Sequence, residues 1–190
     1  IGFSSFRAET KFYLSGAQLE KKTYPTPFVT GLLNSGEVYD GRPASINLMI
    51  HGDVGSGQTF SDSSPSKHTI TTVGNTTHSA AHSKFSGGSV YFDGTGDYLN
   101  VSDSTDWEFS NGIFTIDFWY KNNSTATSRG VISITNSSAA SNYESILVFT
   151  AGSGTNLVFY SSSNNTWDIA SGAAMGAFGS GWTHYAIVRE

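Results

Sequence analysis

An all-β fold of antiparallel sheets packed as a sandwich is what this sequence predicts, and three observations predict it. Short apolar or alternating runs recur about every 10 to 15 residues, without helical stretches between them to serve as parallel crossovers. Clusters of Gly, Asn and Ser bound almost every run, which is where strands turn. Only 13% of the 190 residues are charged against 37% hydrophobic, so neutral hydroxyl and amide side chains must cover much of the surface.

Along the chain, Phe12 to Val29 reads as a strand, a charged bend at Glu20-Lys21-Lys22, and an extended tail in which Pro25 and Pro27 exclude helix and disfavour a central strand. Three of the four prolines fall before residue 45, which sets a boundary. Residues 1–30 are expected to end a preceding β domain, 31–45 to be a linker, and 46–190 to form the main domain.

Ile46 to Ile50 gives that domain's first apolar strand, stopped by Gly52. Thr69 to Val73 is β-branched, and Ser89 to Phe92 and Tyr98 to Val101 flank a glycine turn. Ile113 to Tyr120 alternates Phe114, Ile116, Phe118 and Tyr120 against Thr115, Asp117 and Trp119, the period of a half-buried strand. Val131 to Ile134, Ser145 to Phe149, Leu157 to Tyr160 and His184 to Val188 continue the pattern. No repeat of fixed period suggests a solenoid or propeller.

Composition excludes several classes. A net charge of -5 without a basic cluster cannot supply the counterion release that drives nucleic-acid binding. The absence of Cys rules out a disulfide framework and thiolate metal sites. No apolar run is long enough to span a bilayer, and no charged segment followed by an apolar one marks a signal peptide. Because the chain opens on Ile1 rather than Met, it is expected to be a fragment or processed product of something longer.

The best-defined motif is Asp93-Gly94-Thr95-Gly96-Asp97. Two carboxylates on a glycine-bent loop can hold a hard cation such as Ca2+, with further oxygens from Asp53, Asp62 or Asp106. The plainer alternative is a tight hairpin whose glycines take positive φ and whose carboxylates accept local N–H bonds. Asp106-Trp107-Glu108 spaces two carboxylates as a strand-borne glycosidase pair would, yet its Ser- and Asn-rich flanks read as a solvated loop. His78 and His82 have the spacing of a helical metal pair but sit in a Ser/Ala segment and read as solvent-facing, while His51 and His184 read as hydrogen-bonding groups at strand ends. No nucleophile, base and orienting acid can be assembled from the histidines, so no catalytic residue is assigned.

Aromatic rings in polar loops are the groups by which a neutral sandwich holds sugar. Trp167, Tyr143 and Tyr98 lie at such turns, with Asn165 and Asp168 beside Trp167 to take hydroxyls. The alternative for Trp167 is a cap on the sandwich. Trp119 and Trp182 read as core.

Three pieces carry a family resemblance: Phe60-Ser61-Asp62-Ser63-Ser64, the stretch from Gly88 through Asp93-Gly94-Thr95-Gly96-Asp97 to Leu99, and Phe114 to Trp119 paired with Trp182 to Ala186. Over roughly Ile46 to Glu190 the chain resembles the laminin-G-like, concanavalin A-like jelly-roll domains of phage tail, fibre and secreted surface proteins. The segment Gly16 to Val29 is similar to the closing strand and exit of the carbohydrate-binding-like jelly rolls that precede them. The resemblance implies a non-enzymatic module for glycan or host-surface attachment, located on a virion or outside the cell, with Ca2+ as its cofactor. It implies partner subunits in a virion or filament, a homo-oligomer, and further strands beyond Glu190 to complete the jelly roll. A structural spacer and an accessory domain of a secreted polysaccharide-degrading enzyme are the alternatives.

Overall fold

The computed structural model describes residues 2–4, 12–20, 38–39, 42–43, 46–85, 87–109, 112–124, 129–134, 146–151, 154–163 and 166–190. Fifteen strands lie among them: β1 (Gly2–Ser4), β2 (Phe12–Glu20), β3 (Val38–Tyr39), β4 (Arg42–Pro43), β5 (Ile46–Ile50), β6 (Ile70–Val73), β7 (Thr77–Ser79), β8 (Ser89–Phe92), β9 (Tyr98–Val101), β10 (Phe114–Asn122), β11 (Gly130–Ile134), β12 (Ile146–Ala151), β13 (Asn156–Ser161), β14 (Ala170–Ala177) and β15 (Thr183–Arg189). The one helical element among the described residues is a 3-10 turn at Thr105–Trp107. No helix there is long and apolar enough to cross a membrane.

Every strand pairing described is antiparallel. One sheet runs β14-β13-β12-β11-β1-β9-β6, the second runs β15-β10-β2-β8-β7 with β5 also on β2, and β3 pairs β4 alone. The free edge of β2 is shared: Phe12 to Leu14 pair with β8, and Ala17 to Glu20 pair with β5. Leu99, Ile132, Ile134, Val148 and Leu157 of the first sheet meet Leu19, Leu48, Phe92, Phe118 and Tyr120 of the second in one apolar core. This is the all-β sandwich that alternation predicted, with Phe114, Ile116, Phe118 and Tyr120 inward as expected.

Four readings change. The described strands from the region assigned to a preceding domain are integral here: β1 sits between β9 and β11, and β2 between β10 and β8. Proline content misled the boundary, because the prolines follow β2 rather than interrupt it. Trp119 belongs to the outward register of β10 and is only partly buried, as is Trp182, so neither is core. His78 is not solvent-facing: it is buried on β7, its Nε2 donating to the Thr59 carbonyl at 2.9 Å and its ring stacked on Phe60. Asp106-Trp107-Glu108 is not a loose loop. Ser104 caps the 3-10 turn, Trp107 is buried, and the Asp106 carboxylate takes His68 Nε2 at 2.8 Å and Ser66 Oγ at 3.0 Å.

Asp62, one of the oxygens expected to be open to a cation, is a knot in the turn after β5. Its Oδ1 accepts the Met49 and Ser64 amides, and its Oδ2 accepts Ser64 Oγ and the His68 amide. Four donors on one buried carboxylate fix the whole turn from Asp62 to His68 against β5.

Candidate functional site

The Asp93 to Asp97 turn joins β8 to β9, and its geometry follows from its glycines. Gly94 and Gly96 take φ of 89° and 76°, open to glycine at little cost. Asp97, fully buried, accepts the Asn75 amide on Oδ1 at 2.7 Å and the Asp93 amide on Oδ2 at 2.9 Å. Asp93 accepts the Thr95 amide at 2.7 Å on one oxygen and Asn75 Nδ2 at 3.0 Å on the other. Burial pushes the Asp97 carboxyl above its ordinary value, against the two amides that lower it, and the Asp93 charge adds to the rise.

Two of the four carboxylate oxygens therefore tie the hairpin to Asn75 in the β6–β7 turn, and the other two accept amides within the hairpin itself. Among the described residues no cluster of three His, Cys, Asp or Glu joins them, and Asp62 and Asp106 are engaged in their own turns. Calcium takes about six to eight oxygens, of which Asp93 and Asp97 would supply at most four, each already accepting one hydrogen bond. What the loop does in this geometry is close a hairpin.

Trp167 lies elsewhere, in the connection from β13 to β14. In β12 and β13 the buried Ile146, Val148 and Leu157 alternate with the half-buried Leu147, Phe149, Val158 and Tyr160. The register pairs Leu147 with Tyr160 and Phe149 with Val158, so these four share the outward face. Phe149 and Tyr160 stack diagonally across the strands with centroids 5.1 Å apart, and Trp167 meets Tyr160 edge-on at 5.0 Å. Three rings form a continuous run.

Two features position that run. β14 carries an extra residue between Ala170 and Ala173, opposite Tyr160, and Gly172 in it has φ of 70°. A Cβ on Gly172 would lie 2.9 Å from the Tyr160 hydroxyl, so glycine there is what lets Tyr160 lie across β14. The Trp167 loop is held by Asp168, whose Oδ1 accepts the Ser163 amide at 2.9 Å and whose Oδ2 accepts Ser163 Oγ at 2.5 Å. Those bonds, the hydroxyl first, hold the exposed Asp168 carboxyl below its ordinary value.

Of the residues singled out for a ligand, Trp167 and Asp168 share this loop. Tyr98 is exposed on β9, four strand positions away in the same sheet, or about 19 Å at ordinary strand spacing, and does not join them. Tyr143 and Asn165 lie outside the described residues. Phe149, Tyr160 and Gly172 were missed by sequence reasoning. The alternation of Leu147 and Phe149 with Ile146 and Val148 was a signal, but an all-apolar run hides which half faces out.

No family model, curated protein or solved structure matches this chain.

Proposed function

We propose that this chain is a non-enzymatic glycan- or host-surface-binding module of a phage or virus appendage, or of a similar extracellular surface protein, of the laminin-G-like, concanavalin A-like kind. The observation that carries the reading is the outward run Phe149, Tyr160 and Trp167, braced by Gly172 and ended by the Asp168–Ser163 loop. Partly exposed rings beside small residues and loop hydroxyls are what a saccharide needs for apolar contact and hydroxyl hydrogen bonds. A glycan array with the native chain and Trp167→Ala tests it. Retention of one glycan class, lost in the variant at unchanged melting temperature, supports the role; no retained glycan, or retention equal in both, removes it.

A structural role within a virion or filament is the second reading, favoured by β14 and β15. Each ends its sheet, and among the described residues each pairs on one side only. Such edges add strands readily. That reading predicts self-association of the chain, measured by sedimentation, with Trp167→Ala without effect.

A further inference from the structure

The second sheet carries a different constellation on its outward face. On β10 the side chains opposite the core are Thr115, Asp117 and Trp119, and the register sets Trp119 beside His184 of β15. Asp117 is 2% exposed although it faces away from the core. Its Oδ2 lies 3.0 Å from His184 Nε2, and since a carboxylate oxygen only accepts, Nε2 carries the proton. That fixes the ring, sends Nδ1 away from the carboxylate, and leaves the half-exposed imidazole between the buried acid and solvent.

Trp119 gathers the rest. The His184 ring lies against it at 5.1 Å between centroids, tilted 31°, and Phe85 meets it edge-on at 6.0 Å. Lys84, exposed on the loop before β8, places Nζ 4.0 Å from the indole centroid. Among the described residues no carboxylate pairs with that ammonium; the indole holds it. The charge nearest solvent at this point is thus positive, with the only carboxylate of the group sealed behind His184. In a chain of net charge -5 that local inversion selects for an anion.

We infer that Lys84, Trp119 and His184, backed by Asp117, form a binding site for a carboxylate-bearing sugar, a hexuronate. Lys84 meets the carboxylate, the Trp119 indole holds Lys84 and His184 side by side, and His184, oriented by Asp117, hydrogen-bonds a ring hydroxyl through Nδ1. Asp117 is a positioning residue and does not touch the sugar. The site is separate from the Trp167 run, on the other sheet.

The test is titration of the native chain with methyl glucuronide, methyl glucoside and acetate, followed by ligand-observed NMR and indole fluorescence. Methyl glucuronide should bind saturably in the millimolar range, at least about tenfold more tightly than the glucoside or acetate. Lys84→Ala, on an exposed loop, should lose that preference, Lys84→Arg should keep it, and His184→Gln should weaken the glucuronide and the glucoside alike. Trp167→Ala should change nothing here, which separates failure of this site from failure of the other. Glucuronide binding no tighter than glucoside or acetate, binding undiminished in Lys84→Ala, or no saturation at roughly 50 mM ligand overturns the assignment.

Discussion

Asp62 and Asp97 are the two buried carboxylates on which turns of this molecule depend, and they differ in what surrounds them. Asp62 answers four donors, so Asp62→Ala strands the Met49, Ser64 and His68 amides and the Ser64 hydroxyl at once. At about 1 kcal/mol or more for each donor left unpaired, and with partial rescue by water, the loss should reach about 3 kcal/mol in urea unfolding. Asp97 answers two amides, and its burial makes ionisation costly. Its folded pKa lies above the ordinary 3.8, so the native state holds a proton that the unfolded chain releases. The stability it contributes is full below pH 3.8 and is lost as pH rises through the folded value. Asp97→Asn lacks that titration, so the stability difference between native chain and variant should shrink as pH rises from below 3.8 toward 7, measured by denaturant titration at each pH. A difference that grows with pH would mean that the two amides outweigh burial.

At the scale of elements, β14 shows what sequence could and could not disclose. Its residues, ASGAAMGA, hold no β-branched or aromatic side chain, so neither alternation nor propensity marks a strand. It is a strand because β13 offers it a ladder, and the two extra residues, near Gly172 and Gly176 with φ of 70° and 97°, let it follow a bent partner. By contrast β5, β8, β9, β10 and β15 were legible to within a residue or two, since each buries a face against the opposite sheet and must alternate or be apolar to do so. The candidate site was half legible for the same reason. Trp167 and Asp168 announce themselves in a polar loop, whereas Tyr160 and Phe149 need the register to show which way they face, and Trp119, in the middle of an aromatic strand, reads as core until Asp117 and His184 are seen beside it. Gly172→Ala is the substitution that separates scaffold from surface here. A Cβ would press on the Tyr160 hydroxyl and adopt a φ that alanine resists, so the variant should lose about 1–2 kcal/mol and shift the Tyr160 and Trp167 ring signals in NMR spectra. Unmoved ring signals would show that the aromatic run does not lean on β14.

For the whole molecule, β1 and β2 are the strands whose loss is expected to open the sandwich. β2 is the only described strand that contacts β10, β8 and β5, so it joins the edge β15-β10 to the edge β8-β7 within one sheet. β1, though three residues long, does the same for the other sheet, lying between β11 and β9. Composition placed the boundary near residue 45 because prolines cluster there, but long-range pairing is not written in local composition: in backbone register Phe12 is opposite Phe92, and Ala17 is opposite Ile50 on one side and Phe118 on the other. A chain beginning at Ile46 would therefore carry two split sheets with unpaired inner edges at β10, β8, β9 and β11, each a template for aggregation. It should show no cooperative thermal transition, bind a hydrophobic dye and sediment as aggregates. A peptide of residues 1–22 supplied in trans should restore a cooperative transition, because the missing ladders and the Ala17 and Leu19 contacts return with it. A cooperative melt of residues 46–190 alone, with a near-ultraviolet spectrum like that of the full chain, would instead establish that the main sheets close without β1 and β2 and that the proline-marked boundary is a domain boundary after all.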